Sequence, residues 1–228
     1  MTHFLGHTTW TDHWKPTRRP LLAVPIGSCE QHGPHLPLDT DIRIATTLAR
    51  GLADKYDEGE ILVTPPLTIT ASGEHASFPG TLSIGTEVFE QVIIKLVRSA
   101  DWSAGVVLVN GHGGNRTAVQ RAVRLLDTEQ RKVLAWWPRV DHGDAHAGDT
   151  ETSMMLALAP ELVRMDHAEA GRTEALADLV DELRSGGMRA VSPNGVLGDP
   201  RRATAAHGRT ILTRLSIDLV AAVDEWWE

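Results

Sequence analysis

The chain alternates between short, continuous apolar runs and longer stretches in which apolar residues recur every three or four positions. Residues 21–24 (Leu-Leu-Ala-Val), 61–63 (Ile-Leu-Val), 105–109 (Gly-Val-Val-Leu-Val) and 132–136 (Lys-Val-Leu-Ala-Trp) have the length and composition of buried parallel strands. Between them, helical spacing predicts helices at 41–54, carried by Ile42, Ala45, Leu48, Ala49 and Leu52, and at 86–99, capped by Thr86 with Val88, Val92, Leu96 and Ser99 on one side. Further helices are expected at 116–126, 151–158, 173–184 (ended by Gly186-Gly187) and 204–226, the last with a stripe of Ile211, Leu215, Leu219, Val223 and Trp226. Residues 67–81 and 188–202 read as loops, and 1–20 as an irregular arm whose His3, His7 and His13 lie at the surface. Strands alternating with helices imply one doubly wound α/β/α domain over residues 1–228, with a mostly parallel sheet covered on both faces.

Such sheets bind ligands beyond the carboxyl ends of their strands. The polar, glycine-containing segments 27–41, 110–115 and 141–151 all fall at strand ends of this kind. In the first, Glu30 and His32 are two apart and leave one face of an extended segment, while Asp41 opens a helix whose dipole favours its ionised form. Two carboxylates and an imidazole suit a divalent metal, with Asp41 able to bridge a pair. A solvated Gly/Pro loop is the competing reading of that segment taken alone. His112 sits in Asn110-Gly-His-Gly-Gly-Asn115, which lacks the lysine of a phosphate-binding loop. His146 and Glu151 flank a helix start and can face one cleft. Glu74 and His75 lie in a loop, able to contact substrate or only solvent. Trp137 and its neighbour Trp136 are candidates for a pocket wall or for core. Cys29 fits a small packing residue better than a nucleophile.

Composition narrows the partners. At 228 residues, a formal charge of −8 and a pI near 5.7 argue against nucleic acid or an anionic membrane as partner. One cysteine rules out an internal disulfide framework and agrees with a reducing cytoplasm. No apolar run approaches a membrane span, and the first residues lack a signal-peptide pattern.

With these residues in view, the chain resembles the creatininase family of metal-dependent amide hydrolases from about Leu21 to the last helix. The resemblance rests on Gly27-Ser-Cys-Glu-Gln-His-Gly-Pro-His-Leu-Pro37 with Asp41, on Asn110-Gly-His-Gly-Gly-Asn115, and on Asp144-Ala-His-Ala-Gly-Asp-Thr-Glu-Thr-Ser153. Segments 36–41, 71–75, 78–81, 185–187, 198–200 and 203–206 are most similar to the branch of that family that processes a precursor peptide. The resemblance implies a doubly wound fold, two divalent metal ions (zinc, iron or manganese) and a homo-oligomer, with a hexamer favoured. It also implies a substrate: a ribosomally made peptide modified at its C-terminal Val-Tyr, cut to release that moiety. Glu30, Asp41 and His112 match the ligands of one metal, His32 and Asp41 those of the other, and His146 the catalytic histidine. A small cyclic amide or a formamide is the alternative substrate within the family. A catalytically silent, metal-stabilised oligomeric binding protein is the alternative outside it.

One departure matters. Creatininase itself has a metal-binding glutamate where this chain has Gly114, which leaves the second metal two protein ligands, fewer than the three usual at a catalytic zinc. We expect Glu151 to take that place, as ligand and member of the catalytic set, with Gly114 leaving room for it. The alternatives for Glu151 are a helix cap or a hydrogen bond to a liganding histidine.

Overall fold

The computed structural model describes residues 3–14 and 18–227. Its sheet consists of β1 (Leu21–Ile26), β2 (Ile61–Val63), β3 (Gly105–Asn110) and β4 (Val133–Trp136), all parallel in the order β2-β1-β3-β4. Every residue of β1, β2 and β3 is buried, as the unbroken apolar runs require when helices cover both faces of a sheet. Alternate residues feed two cores. Leu21, Ala23, Ile61, Val63, Val107 and Val109 pack on one side against α1 (Thr40–Ala53), α4 (Asp149–Leu158) and α6 (Ala205–Trp227). Leu22, Val24, Ile26, Leu62, Val106 and Leu108 pack on the other against α2 (Thr86–Ser99) and α3 (Arg116–Thr128). The doubly wound expectation therefore holds. Among the described residues, no helix is long and apolar enough to cross a membrane.

Four local expectations need correction. Helix α2 buries Phe89, Ile93, Ile94 and Val97, one position away from the expected stripe, and Val88 is 55 % exposed. The helix carries two adjacent apolar stripes, and the one with the bulkier residues wins the core. Thr86 is the first residue of α2, not its cap; Gly85 precedes it at φ 77° with no side-chain capping bond. Gly186-Gly187 does not end α5 (Leu176–Val191): Gly187 breaks it locally at φ 71°, and the helix resumes to Val191. In the arm, only His7 is exposed among the three histidines; His13 packs its ring 4.8 Å from that of Trp102. There Phe4 bridges to Val63, and the Val63 amide donates to the His3 carbonyl at 2.6 Å, so part of the arm lies along the edge strand β2.

Because α2 faces the core through Phe89, Phe89→Ala is expected to cost about 3–5 kcal/mol, as buried aromatic truncations do. Val88→Ala should stay within about 0.5 kcal/mol. Urea unfolding of both variants checks this, and the reverse order would restore the stripe expected from the sequence.

Candidate metal centre

The pairing of β1 with β3 sets Ile26 beside Asn110, so the segments that leave these two strands emerge together. Side-chain amides then tie them. Asn115 Nδ2 donates to Gly27 O at 3.2 Å and to Asn110 Oδ1 at 3.0 Å, its Oδ1 accepts from the Ala71 amide at 3.1 Å, and Asn110 Nδ2 donates to His112 O at 2.7 Å. The segments after β1 and β3 and the loop at Ala71 are thereby tied together.

Glu30, His32, Asp41, His75, His112 and His146 are all buried there. His112 Nδ1 lies 3.2 Å from Glu30 Oε1 and 3.2 Å from Asp41 Oδ2, and His32 Nε2 lies 3.1 Å from Asp41 Oδ1. His32 Nδ1 donates to the Glu30 carbonyl at 3.1 Å, which turns Nε2 toward Asp41. Ser28 donates to Asp41 Oδ2 at 2.9 Å. Glu151, from the first turn of α4, brings Oε2 to 4.0 Å from His32 Nε2 while accepting from the Ala147 amide at 2.6 Å. His146 Nε2 is 2.9 Å from Gln31 O, and its ring centre lies 4.4 Å from that of His32 and 4.6 Å from that of His75.

This cluster demands positive charge. Burial opposes ionisation of Glu30, yet His112 and His75 overcome it and hold its pKa down to about 2. Burial likewise opposes charge on His32, but Asp41, then Glu151 and Glu30, push its pKa up to about 10. The same burial cost falls on His112, and Glu30 and Asp41 still raise it well above the usual imidazole range. His146 goes the other way: burial, then the neighbouring His32 and His75, keep it neutral. Burial, reinforced by Asp41 and partly offset by His32, lifts Glu151 to about 7.

A divalent cation fits these residues. Both oxygens of the fully buried Glu30 lack a hydrogen-bond partner among the described residues, an arrangement that costs stability unless a cation satisfies them. Donor atoms of Glu30, Asp41 and His112 converge within 4.8 Å, as do those of His32, Asp41 and Glu151, and Asp41 belongs to both groups. Carboxylate oxygen with imidazole nitrogen is a donor set for zinc, manganese or iron.

A model of the family described as creatininase, creatinine amidohydrolase, matches residues 6–223. The chain belongs to the creatininase family. It is 46 % identical over 228 residues to the mycofactocin precursor peptide peptidase of Mycobacterium ulcerans (strain Agy99), covering 96 % of this chain and 90 % of that protein. Among solved structures it superposes on "Creatininase Mn" with a TM-score of 0.81 at 24 % identity, over 99 % of this chain and 98 % of that one. It also superposes on a mutant creatininase described as "Zn-Zn type" with a TM-score of 0.79 at 23 % identity, over 99 % and 98 %. At these identities the structures speak for the fold.

The other creatininase-type candidates divide. Trp137 lines a cleft of about 560 Å³ together with His112, Glu151, Val140 and Leu176, and Arg116 lays its guanidinium 5.5 Å from the Trp137 ring centre. Trp136 is core, with its indole N–H donating to Asp218 at 2.8 Å. His75 is in the cluster, 3.4 Å from Glu30 Oε1, and not on the cleft wall. Glu74 reaches the opposite edge of His112, at 3.4 Å from Nε2. The expectation that Gly114 makes room for Glu151 is wrong: a Cβ at 114 would overlap Glu74 Oε1 and His112 Nε2. Glu151 comes in from α4 by another route. Cys29 is half-buried with its thiol pKa raised by burial and by Asp39 and Glu30, which removes the thiolate a nucleophile needs.

Sequence reasoning passed over Gln31 and Asn115. Gln31 is buried, and its Nε2 lies 2.9 Å from His75 Nδ1, 3.1 Å from His146 Nε2 and 2.9 Å from Gly195 O. Its position between Glu30 and His32 was the only signal.

Asp41 belongs to two donor groups, one with Glu30 and His112 and one with His32 and Glu151. Asp41→Ala is therefore expected to lose most bound metal while circular dichroism keeps the wild-type signature. Metal content by mass spectrometry is the check, and a full complement in the variant would reject the shared role.

Proposed function

We propose that this protein is a metal-dependent peptidase that cleaves a modified precursor peptide and releases its C-terminal moiety in mycofactocin biosynthesis. The observation that carries the reading is the 46 % identity over nearly the whole of both chains to a protein of that name, joined to a buried donor cluster at the sheet's carboxyl end. On this reading Glu30, Asp41 and His112 hold one divalent ion and His32, Asp41 and Glu151 a second. Zinc and manganese, named for the two solved creatininases, head the candidates, with iron beside them. Such ions polarise an amide carbonyl and bring the pKa of water toward about 7.

The chain's own groups supply the rest. His146 is neutral, and with Nε2–H given to Gln31 O its Nδ1 lone pair turns toward the cluster, 3.9 Å from Glu30 Oε1. A neutral imidazole so fixed takes a proton from the attacking water and hands it to the departing amine. The cleft between Trp137 and Leu176 is open enough to admit a peptide end, with Trp137 as a wall for its apolar part.

Incubating the purified protein with the modified precursor peptide, creatinine and formamides tests the substrate. Cleavage of the peptide, abolished by a chelator and restored by metal, is expected, and turnover of a small amide alone would overturn the reading. His146→Ala should keep its metal and lose roughly 10²–10⁴-fold in rate; metal lost along with activity would make His146 a ligand. For Glu151→Gln, the expected result is one metal retained of two. Two metals retained would reduce Glu151 to a helix cap or to a hydrogen bond on a liganding histidine.

A further inference from the structure

We infer that Glu74 is a positioning residue for His112: its carboxylate holds the far edge of the imidazole, fixes which nitrogen faces the cluster, and so sets the affinity of the Glu30–Asp41–His112 group for its ion. The inference rests on the metal-dependent reading above and extends it to Glu74, which shares no donor group with Asp41 but lies within 4.8 Å of donor atoms of Glu30 and His75.

Three observations carry it. The His112 ring is used on both edges. Nδ1 meets Glu30 and Asp41 at 3.2 Å each, whereas Nε2 meets Ala71 O at 3.0 Å and Glu74 Oε1 at 3.4 Å. A carbonyl and a carboxylate together on Nε2 demand a proton there, which leaves the Nδ1 lone pair for the cluster. A carboxylate on the remote N–H of a liganding histidine also raises the basicity of the nitrogen that binds.

Space is the second observation. The Glu74 carboxylate occupies the volume that a side chain at 114 would need, since a Cβ there would overlap both Glu74 Oε1 and His112 Nε2. Gly114 and Glu74 are thus complementary: the glycine gives the carboxylate a seat against the ring. The third is anchorage. Glu74 stands in the short 3₁₀ turn Gly73–His75 next to His75, which is fixed through Gln31 and lies 3.4 Å from Glu30. The side chain is 34 % exposed, and it does not line the cleft that holds Trp137 and Glu151. That location separates orienting His112 from contacting substrate.

The test is a titration of the metal-free protein with Co²⁺, read by visible absorption and by competition with a chelator, for wild type, Glu74→Ala and Glu74→Gln. Glu74→Ala is expected to weaken one of two equivalents by about 10–100-fold, the usual cost of removing such a partner. The other equivalent should be untouched. Glu74→Gln, which keeps an acceptor without the charge, should fall between. Wild-type affinity for both equivalents in Glu74→Ala overturns the inference, as does an increase in KM alone, the mark of a substrate contact. Complete loss of one equivalent in both variants would make Glu74 a ligand and overturn it as well. A fall in melting temperature of the metal-free variants that accounts for the weakened binding would reduce the residue to packing. Wild type that binds no Co²⁺ overturns the metal reading itself, and this inference with it.

Discussion

A fully buried glutamate, Glu30, whose carboxylate oxygens find no hydrogen-bond partner among the described residues, sets the terms for this molecule. An isolated carboxylate in that position would cost several kcal/mol, and proteins ordinarily escape by protonating it. Here Glu30 stays ionised because His112 and His75 lie beside it, and His112 is charged because Glu30 and Asp41 are near. The cluster is therefore self-consistent only with cations inside it, whether protons on His32 and His112 or ions in their place. His146 escapes that charging, because burial and two neighbouring imidazoles outweigh the carboxylates around it, and it is the group left free to move a proton.

Holding such a cluster requires rigid loops, and the rigidity comes from neutral amides. Asn115 bonds to three different segments, and the Gln31 amide links His75 to the loop at Gly195. Neither residue carries charge into the cluster, so each adds order without disturbing its electrostatics. The Arg116–Trp137 pair stands outside this network, on the wall of the cleft, where some freedom of movement suits a surface that admits a substrate.

The parts of this design that depend on local pattern were readable in the sequence. Strands β1 and β3 announce themselves as unbroken apolar runs, and the Asp41 helix and the Asn110–Asn115 turn follow directly from their spacing and glycines. What could not be read is whatever depends on a contact between distant loops. Two stripes on α2 were equally periodic, and only packing against the sheet chose Phe89 over Val88. Gly114 looked like an opening for Glu151 because the sequence does not say that Glu74 arrives there first. Gln31 and Asn115 were overlooked since an amide has no signature of chemistry until its partners are known.

The order of strands in the sheet has a kinetic side. Leu21 pairs with Gly105, so β1, made early, meets its central neighbour only after α1, β2 and α2 have been built. Chains emerge at about 5–20 residues per second, and parallel pairings between remote segments are slow to form. For that interval β1 has only the three residues of β2 as a parallel partner, and Glu30 and Asp41 wait for the His112 turn that arrives with β3. Until β3 emerges, the apolar run at residues 21–26 therefore lacks the neighbour that pairs with its whole length.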